Sequence, residues 1–502
     1  MAMSASITFE FRSTATANMV NGGGFKTGAS GTDYSTQNAA QWTATDLTCA
    51  AAATNIVSAA STFTTAAVGN VIHLTALTGT GALVGWYEIT AYVDANTITI
   101  DRTPTDGTNA ITAGTFYIGG ALNVGGSLED DFFEEISGAK AEDGITVYFY
   151  NNNSTSTVVF TPSEAITIAG AGGTTAPINI IGYKTTRGDN PTGTSRPTIA
   201  CGANQFSLGT KWGVYNLNVT GTANSVLLSG AFGKVVNCKV VNSSTTVDRN
   251  AIITQSATAA DHFYFNTELI SYRGKGSATQ LNNINLSIIG CYIHDSDVGI
   301  RHNLTAGTIE IINTIIESNV TTALLLGAVT ENSIIYGSTL YGSENTTGTG
   351  VTITAAATDV RIVNSIIYGF VTGISHGTAG QTIGYDDYND YFNNDTDVSN
   401  WTKGSNDQAV NPTFTNVAQV TGTAGTYAGS TLTDAAASFA NVVDNQDFVY
   451  IISGTGMTAG QYLITAHAAT TITTDLDAGE NVAANVVYQV TTGRNFAIGG
   501  AI

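Results

Sequence analysis

Nine times between residues 178 and 392 the chain repeats one short pattern: two or three β-formers, then Gly or Asn, then a second β-rich run. It reads INIIGYK at Gly182, WGVYNLNV at Asn216, KVVNCKVV at Asn237, FYFNTELI at Asn266 and LSIIGCYI at Gly290. It continues as IEIINTII at Asn313, SIIYGSTLY at Gly337, VRIVNSII at Asn364 and YDDYNDYF at Asn389. Successive pivots lie 21 to 34 residues apart. A sandwich has no reason to repeat at such an interval, whereas a solenoid must. Gly and Asn enter the left-handed backbone region most readily, and one such residue between two short strands bends the chain without a loop. Coils of this length predict a parallel β-helix stacked at about 4.8 Å per coil. Asparagines stacked in such a column could also join through their side-chain amides.

A second repeat flanks the first. Residues 63–101 match 439–475: Phe, a polar stretch, an apolar strand, a Gly/Thr hinge, Gly-x-Tyr-x-Ile-Thr, then a strand ending in Asp. TFYIGGAL and NFAIGGAI follow the two copies. Alternation at Tyr87, Ile89 and Ala91, and at Ile98 and Ile100, reads as antiparallel strands of a small barrel or sandwich. Only 11% of residues are charged and 55 are Gly, as expected for many short strands and turns. The expected fold is all-β: a parallel β-helix between two similar small antiparallel modules. Residues 1–45 read as an N-terminal arm, 46–122 as the first module, 123–411 as the β-helix, and 412–502 as the second module. One short helix is expected at 129–135, where acids suit a helix start.

The net charge of −21 argues against nucleic acid and against docking on anionic lipid. Cys49, Cys201, Cys238 and Cys291 are scattered, with no CxxC pair, and read as buried free thiols. The start has no basic stretch followed by an apolar run, so no secretory signal is expected. No stretch reaches the roughly 18 apolar residues of a membrane span.

The stretch NGGGFKTGASGTDYSTQNAAQWTATDL, the module ending YIGGAL, then GITVYF and INIIGYKTTRGDNPTGTSRPTI resemble a family of β-helix proteins of tailed phages. That family is described as virion structural or pectate-lyase-like. The resemblance covers residues 21 to 200 and continues more loosely through the coil periodicity. It implies a right-handed helix and a virion location, the protein being made in the host cytoplasm. It supplies no catalytic residues, and a second copy of the small module departs from the single one expected. The reading is a structural virion protein (fibre, spike or capsid-decoration protein) that is homotrimeric by fold analogy. Its partners would be other virion proteins and host-surface polysaccharide. The alternative is a tailspike depolymerase, either polysaccharide lyase or glycoside hydrolase.

Two clusters could carry chemistry. HDSDVGIRHN offers Asp295, Asp297, Arg301 and His302, with His294, as acid, base and electrophile if they project from one coil. The competing reading is a polar turn whose Asp side chains cap backbone amides. Neighbouring coils do not supply matching carboxylates, the equivalent segments carrying one Glu each, Glu317 and Glu344. YDDYNDYFNNDTDVSNW offers Asp386, Asp387, Asp390 and Asp395 (with Asp397) as oxygen ligands for Ca²⁺, although the EF-hand pattern fails. Its aromatics, Tyr385, Tyr388, Tyr391, Phe392 and Trp401, could instead stack on sugars or cover the open end of the core. His73, His262, His376 and His467 stand alone and read as structural. There is no nucleotide loop, HExxH or GxSxG.

Overall fold

The computed structural model describes most of residues 3–122 and 144–491. Residues 123–143 apart from Phe132, 153–157, 169–177, 413–419, 492–502 and several shorter stretches lie outside the described residues. The helix expected at 129–135 and the closing IGGAI fall there. The described secondary structure is strand, plus the 3-10 turns Thr65–Ala67 and Gly193–Ser195. From Thr146–Tyr150 to Thr396–Ser399 the strands follow as ten successive triplets.

The chain divides into two compact units, Met1–Tyr292 with His302–Glu310, and Ile293–Arg301 with Ile311–Ile502. In the first, Ile7–Arg12, Thr146–Tyr150, Ile178–Tyr183, Trp212–Tyr215, Gly233–Val236, Asp261–Phe265 and Asn285–Ile289 pair in parallel, each with the strand one coil on. A second parallel sheet joins Thr198–Gly202, Asn218–Gly221, Lys239–Asn242 and Glu268–Ser271. A third joins Phe206–Leu208, Ser225–Ser229, Asn250–Gln255 and Ser277–Asn282. The second unit repeats the three-sheet arrangement. This is the expected parallel β-helix.

Register makes the core a set of columns. Val147, Ile180, Val214, Val235, Tyr264 and Ile288 are mutual partners and fully buried, as are Ile199, Val219, Val240 and Leu269. Each such side chain stabilises the stack by about 1.5–3 kcal/mol, before the entropy of ordering is counted.

Seven of the nine predicted pivots are left-handed: Asn216, Asn237, Asn266, Asn313 and Asn364 at φ 47 to 57°, Gly290 at 62° and Gly337 at 58°. Their amides form a ladder, in which Asn237 Nδ2 donates to Asn216 Oδ1 at 2.7 Å and Asn266 Nδ2 to Asn237 Oδ1 at 3.1 Å. Arg196 Nη2 adds a bond to Asn237 Oδ1 at 2.6 Å. Gly182 and Asn389 depart from the pattern. Gly182 is extended within its strand, and a Cβ there would sit 2.1 Å from the Asn216 carbonyl oxygen, so space selects glycine. At the last coil Tyr388 is the left-handed residue, at φ 59°. Asn389 is buried instead, donating to the Ile362 carbonyl at 2.7 Å and accepting from Ser365 N at 2.9 Å.

The N-terminal strand Ile7–Arg12 is itself a member of the first sheet. Its Glu10 is fully buried and takes bonds from Arg12 Nε at 2.9 Å, Arg187 Nη2 at 2.8 Å and the Tyr183 hydroxyl. Phe132 packs edge-on against Phe9, Phe11 and Trp86.

The flanking modules share one strand order. In the first it runs Ala113–Ile118, Val71–Thr78, Gly85–Asp94, Thr97–Ile100, Asn55–Val57. In the second it runs Ala483–Thr491, Phe448–Ser453, Gly460–Ala468, Thr471–Thr474, Thr431–Thr433, and Val420–Ala428 closes the barrel. Bridges from Thr48 to Val57 and from Cys49 to Ile111 take that closing place in the first. Matched positions are buried in both: Phe63 and Phe439, Tyr87 and Tyr462, Ile89 and Ile464, Ile98 and Ile472. Ala91 is exposed despite its place in the alternation, because the register shifts between Ile89 and Ala91.

Asn237 separates the two contributions of a pivot. Asn237→Gly keeps the left-handed turn and loses the amide bonds; Asn237→Ala loses both. Alanine is expected to cost about 1–2 kcal/mol in backbone strain beyond the about 1–3 kcal/mol of unsatisfied partners that both variants share. Thermal unfolding of the full chain should rank wild type above Gly above Ala; equal midpoints would refute the ladder's role.

Candidate functional site

The strand Val298–His302 buries Val298, Ile300 and His302 and turns Arg301 outward, so alternation separates the last two residues of the predicted quartet. Burial pushes His302 down to about 4, and neither ring nitrogen has a hydrogen-bond partner among the described residues. Arg301 Nη2 stands 4.0 Å from Asp297 Oδ2, at the limit of an ion pair. The Asp297 carbonyl accepts from Thr321 N at 2.9 Å, tying this turn to the next coil. Asp295 is left-handed at φ 52°, and its Oδ2 lies 2.6 Å from Nδ1 of buried His294.

A carboxylate one coil on joins them. Ile316, Leu340, Ile367 and Tyr391 form an inward column, so their neighbours Glu317, Tyr341, Tyr368 and Phe392 face the other side of the sheet. Tyr341 and Tyr368 stack at 5.2 Å and Tyr368 and Phe392 at 5.8 Å between ring centroids, all three half-buried. At the head of this column Glu317 is only 1% exposed. Burial pushes its carboxyl up to about 8, with His294 pulling it down and Asp295 pushing it further up. A carboxylic acid kept neutral near pH 7, beside a His–Asp pair and above a ladder of aromatic rings, has the makings of a proton donor. The sequence held its signal: Glu317 lies four residues past pivot Asn313, as His294 does past Gly290, Tyr341 past Gly337 and Tyr368 past Asn364. Glu344 lies outside the described residues.

The acidic stretch proposed for Ca²⁺ is held by neutral donors. Asp386 accepts from Tyr391 Oη at 2.8 Å, Trp401 Nε1 at 2.9 Å and Asn389 Nδ2 at 2.5 Å. Burial pushes it up to about 6, reinforced by Asp407, against the pull of those three donors. Asp387 accepts from Asn406 N at 2.8 Å and Nδ2 at 2.9 Å, and from Tyr385 Oη at 2.9 Å. Burial opposes these donors, but they outweigh it and hold Asp387 below the usual carboxylate range. Asp390 accepts from Val410 N at 2.9 Å, and Asp395 is exposed. Among the described residues no group of three or more His, Cys, Asp or Glu is placed to hold a metal. What the carboxylates gather is the chain over the last coil: Gln408 N reaches the Asn389 carbonyl at 2.8 Å, and Lys403 reaches Asp397 at 2.9 Å and lies over the Tyr391 ring. Of the aromatics, Tyr391 is buried, Trp401 and Phe392 half-buried, and Tyr385 and Tyr388 exposed.

The four cysteines are buried and free. His73 stacks on Trp86 at 3.8 Å and bonds the Val20 carbonyl, as befits a structural group. No described helix is long and apolar enough to cross a membrane.

Two consequences are measurable. Glu317 is raised in the folded state, so its contribution is intact below about 4.5 and is lost as pH rises to about 8. Glu317→Gln should therefore leave the unfolding midpoint unchanged near pH 4 and raise it by about 2–4 °C at pH 8.5; a pH-independent difference would refute the assignment. Trp401→Phe, which strips a donor from buried Asp386, should cost about 1–3 kcal/mol, while millimolar Ca²⁺ leaves the wild-type midpoint unchanged. A Ca²⁺-dependent rise would support the cation site.

No family model matches the sequence, and no curated protein matches it. Among solved structures, the chain is similar to the tailspike gp61 of Pseudomonas phage phi297, at 11% identity over 90% of this chain and 82% of that one, with a TM-score of 0.21. It is similar to the Gp54 tailspike of Acinetobacter baumannii bacteriophage AP22, solved with A. baumannii capsular saccharide, at 11% identity over 90% and 84%, with a TM-score of 0.20. A mutant tailspike protein of E. coli bacteriophage HK620, solved with a pentasaccharide, matches at 10% identity over 72% and 84%, with a TM-score of 0.23. At these scores the likenesses carry no argument about function.

Proposed function

We propose that this chain is a structural virion protein of a tailed bacteriophage, a fibre, spike or capsid-decoration protein, whose β-helix engages host-surface polysaccharide. The observation that carries the reading is the outward ladder Tyr341, Tyr368 and Phe392, one ring per coil with centroids 5.2 and 5.8 Å apart. A row of aromatic rings offers apolar faces to successive sugar rings, while hydroxyls on both sides stay wet. A repeating polymer suits a repeating surface. The sequence resemblance to phage β-helix proteins supports the virion setting, other virion proteins as partners, and a homo-oligomer, with three copies side by side as the fold analogy implies. Tyr368→Ala should weaken binding to host capsule about tenfold with an unchanged unfolding midpoint, measured by calorimetry. Unchanged affinity would sink the glycan part; absence of the chain from purified particles would sink the virion part.

A second reading, depolymerase, is favoured by one observation: Glu317, raised to about 8 beside His294 and Asp295, sits at the head of the same ladder. In a hydrolase it would protonate the leaving oxygen while Asp295 activates water or attacks the anomeric carbon. In a lyase, Arg301 and Asp297 would neutralise and deprotonate the sugar acid. Glu317→Gln and Asp295→Asn should each cut reducing-end release from capsule by about 100-fold or more and leave binding intact. Wild-type protein that binds capsule and releases no ends would leave the structural reading standing alone.

A further inference from the structure

The outer side of the first parallel sheet carries a column of a different kind. In the first unit Ile181, Tyr215, Val236, Phe265 and Ile289 occupy the place just before each pivot. The strand register makes Ile181 and Tyr215, Tyr215 and Val236, and Phe265 and Ile289 direct partners, with Val236 on Phe265 between them. Their inward neighbours Val214, Val235, Tyr264 and Ile288 are fully buried, so the column faces out. It is apolar at each of these five coils. Phe265 is 43% exposed and stacks in parallel on Phe263 at 6.0 Å, which widens the strip. The second unit repeats the position with Tyr336, also 43% exposed, and Val363, before buried Asp387 ends the apolar run. A solvent-facing sheet normally alternates to polar residues there.

We infer that this strip is a self-association face, covered in the assembled protein by a second copy of this chain. The inference rests on the homo-oligomeric part of the function proposed above and names its surface. Three features select a second copy as occupant. The strip advances one apolar residue per coil, so an equally periodic partner covers it without leaving gaps, and another copy has the same step. From Ile181 to Ile289 it carries no charge in a chain of net charge −21, where any carboxylate on the meeting face would add to the repulsion between copies. Beside it in the first unit, among the described residues, stand exposed Lys234 and exposed Asp261, so that flank is self-complementary in sign. Elsewhere the column is already closed by its own chain: Arg187 lies 4.7 Å over the ring of Tyr148, the residue one coil before Ile181.

Light scattering during gel filtration of the full chain tests this. Wild type should run as a multimer that strengthens as salt rises and screens the repulsion. Phe265→Asp should weaken association by at least about 30-fold. Val241→Asp, on the outer side of the second sheet, should not. As a variant that spares the fold, Phe265→Cys under mild oxidant should give a disulfide-linked pair, since the four native thiols are buried. Monomeric wild type would overturn the inference together with the homo-oligomer. A multimer indifferent to Phe265→Asp and uncrosslinked through Phe265→Cys would overturn the face while leaving the homo-oligomer in place.

Discussion

The left-handed residue at the corner of each coil is the constraint on which the rest depends. An asparagine held at φ near 50° pays about 1–2 kcal/mol for its backbone. The bonds from Asn237 to Asn216 and from Asn266 to Asn237 offset that cost and lock neighbouring corners together. Because strand side chains alternate, fixing the corner also fixes the facing of every residue near it. Around Asn237, Val235 and Val240 turn inward while Val236 and Lys239 turn outward. A slip of one residue would exchange those sets, so the corner decides both what packs and what is displayed.

That dependence explains what could be read from the sequence. Pivot identity is a local property, since few residue types tolerate left-handed backbone, and Asn216 to Asn364 are recognisable without coordinates. Gly182 misleads because glycine also serves where space is short, and here the Asn216 carbonyl fills the place of a Cβ. Asn389 misleads because Tyr388 takes the strained conformation while Asn389 supplies the inter-coil bonds. The duplicated modules were legible as matched residues, down to Tyr87 and Tyr462. Their closure was not, since it hangs on pairings such as Cys49 with Ile111, sixty-two positions apart along the chain. The quartet around Asp295 looked coherent as a string, but strand parity sends His302 into the core and Arg301 out of it.

Among the buried carboxylates, the partners of Glu10, Asp386 and Glu317 distinguish their roles. Glu10 lies between two guanidinium groups and the Tyr183 hydroxyl, which suits a permanent ionic clip on the N-terminal strand. Asp386 is met by a phenol, an indole and an amide, donors that hold a cap in place without adding charge. Glu317 is raised to about 8 by burial, with His294 pulling it down and Asp295 pushing it further up, so it stays protonated near neutral pH. Stability alone gives little reason to keep an acid there, because a leucine or glutamine of similar size would avoid the desolvation. Its alignment with Tyr341, Tyr368 and Phe392 is what sets it apart from the other two.

On a coiled scaffold the unit of function is the column, since residues at one offset from the corner share one face and one environment. From Ile181 to Val363 the place before the corner is apolar, and the place four beyond it changes from Thr220, Val241 and Ile270 to His294, Glu317, Tyr341 and Tyr368. The first pattern is uniform, as a surface for an equally uniform neighbour would be. The second varies along its length, with acid and imidazole at one end and rings at the other, as a site must to distinguish the ends of a directional polymer. A uniform column suits the assembly proposed above, and a graded one suits the proposed recognition. Because each is set by parity from the same corner residues, a change in one column leaves the other undisturbed as long as the asparagine ladder holds.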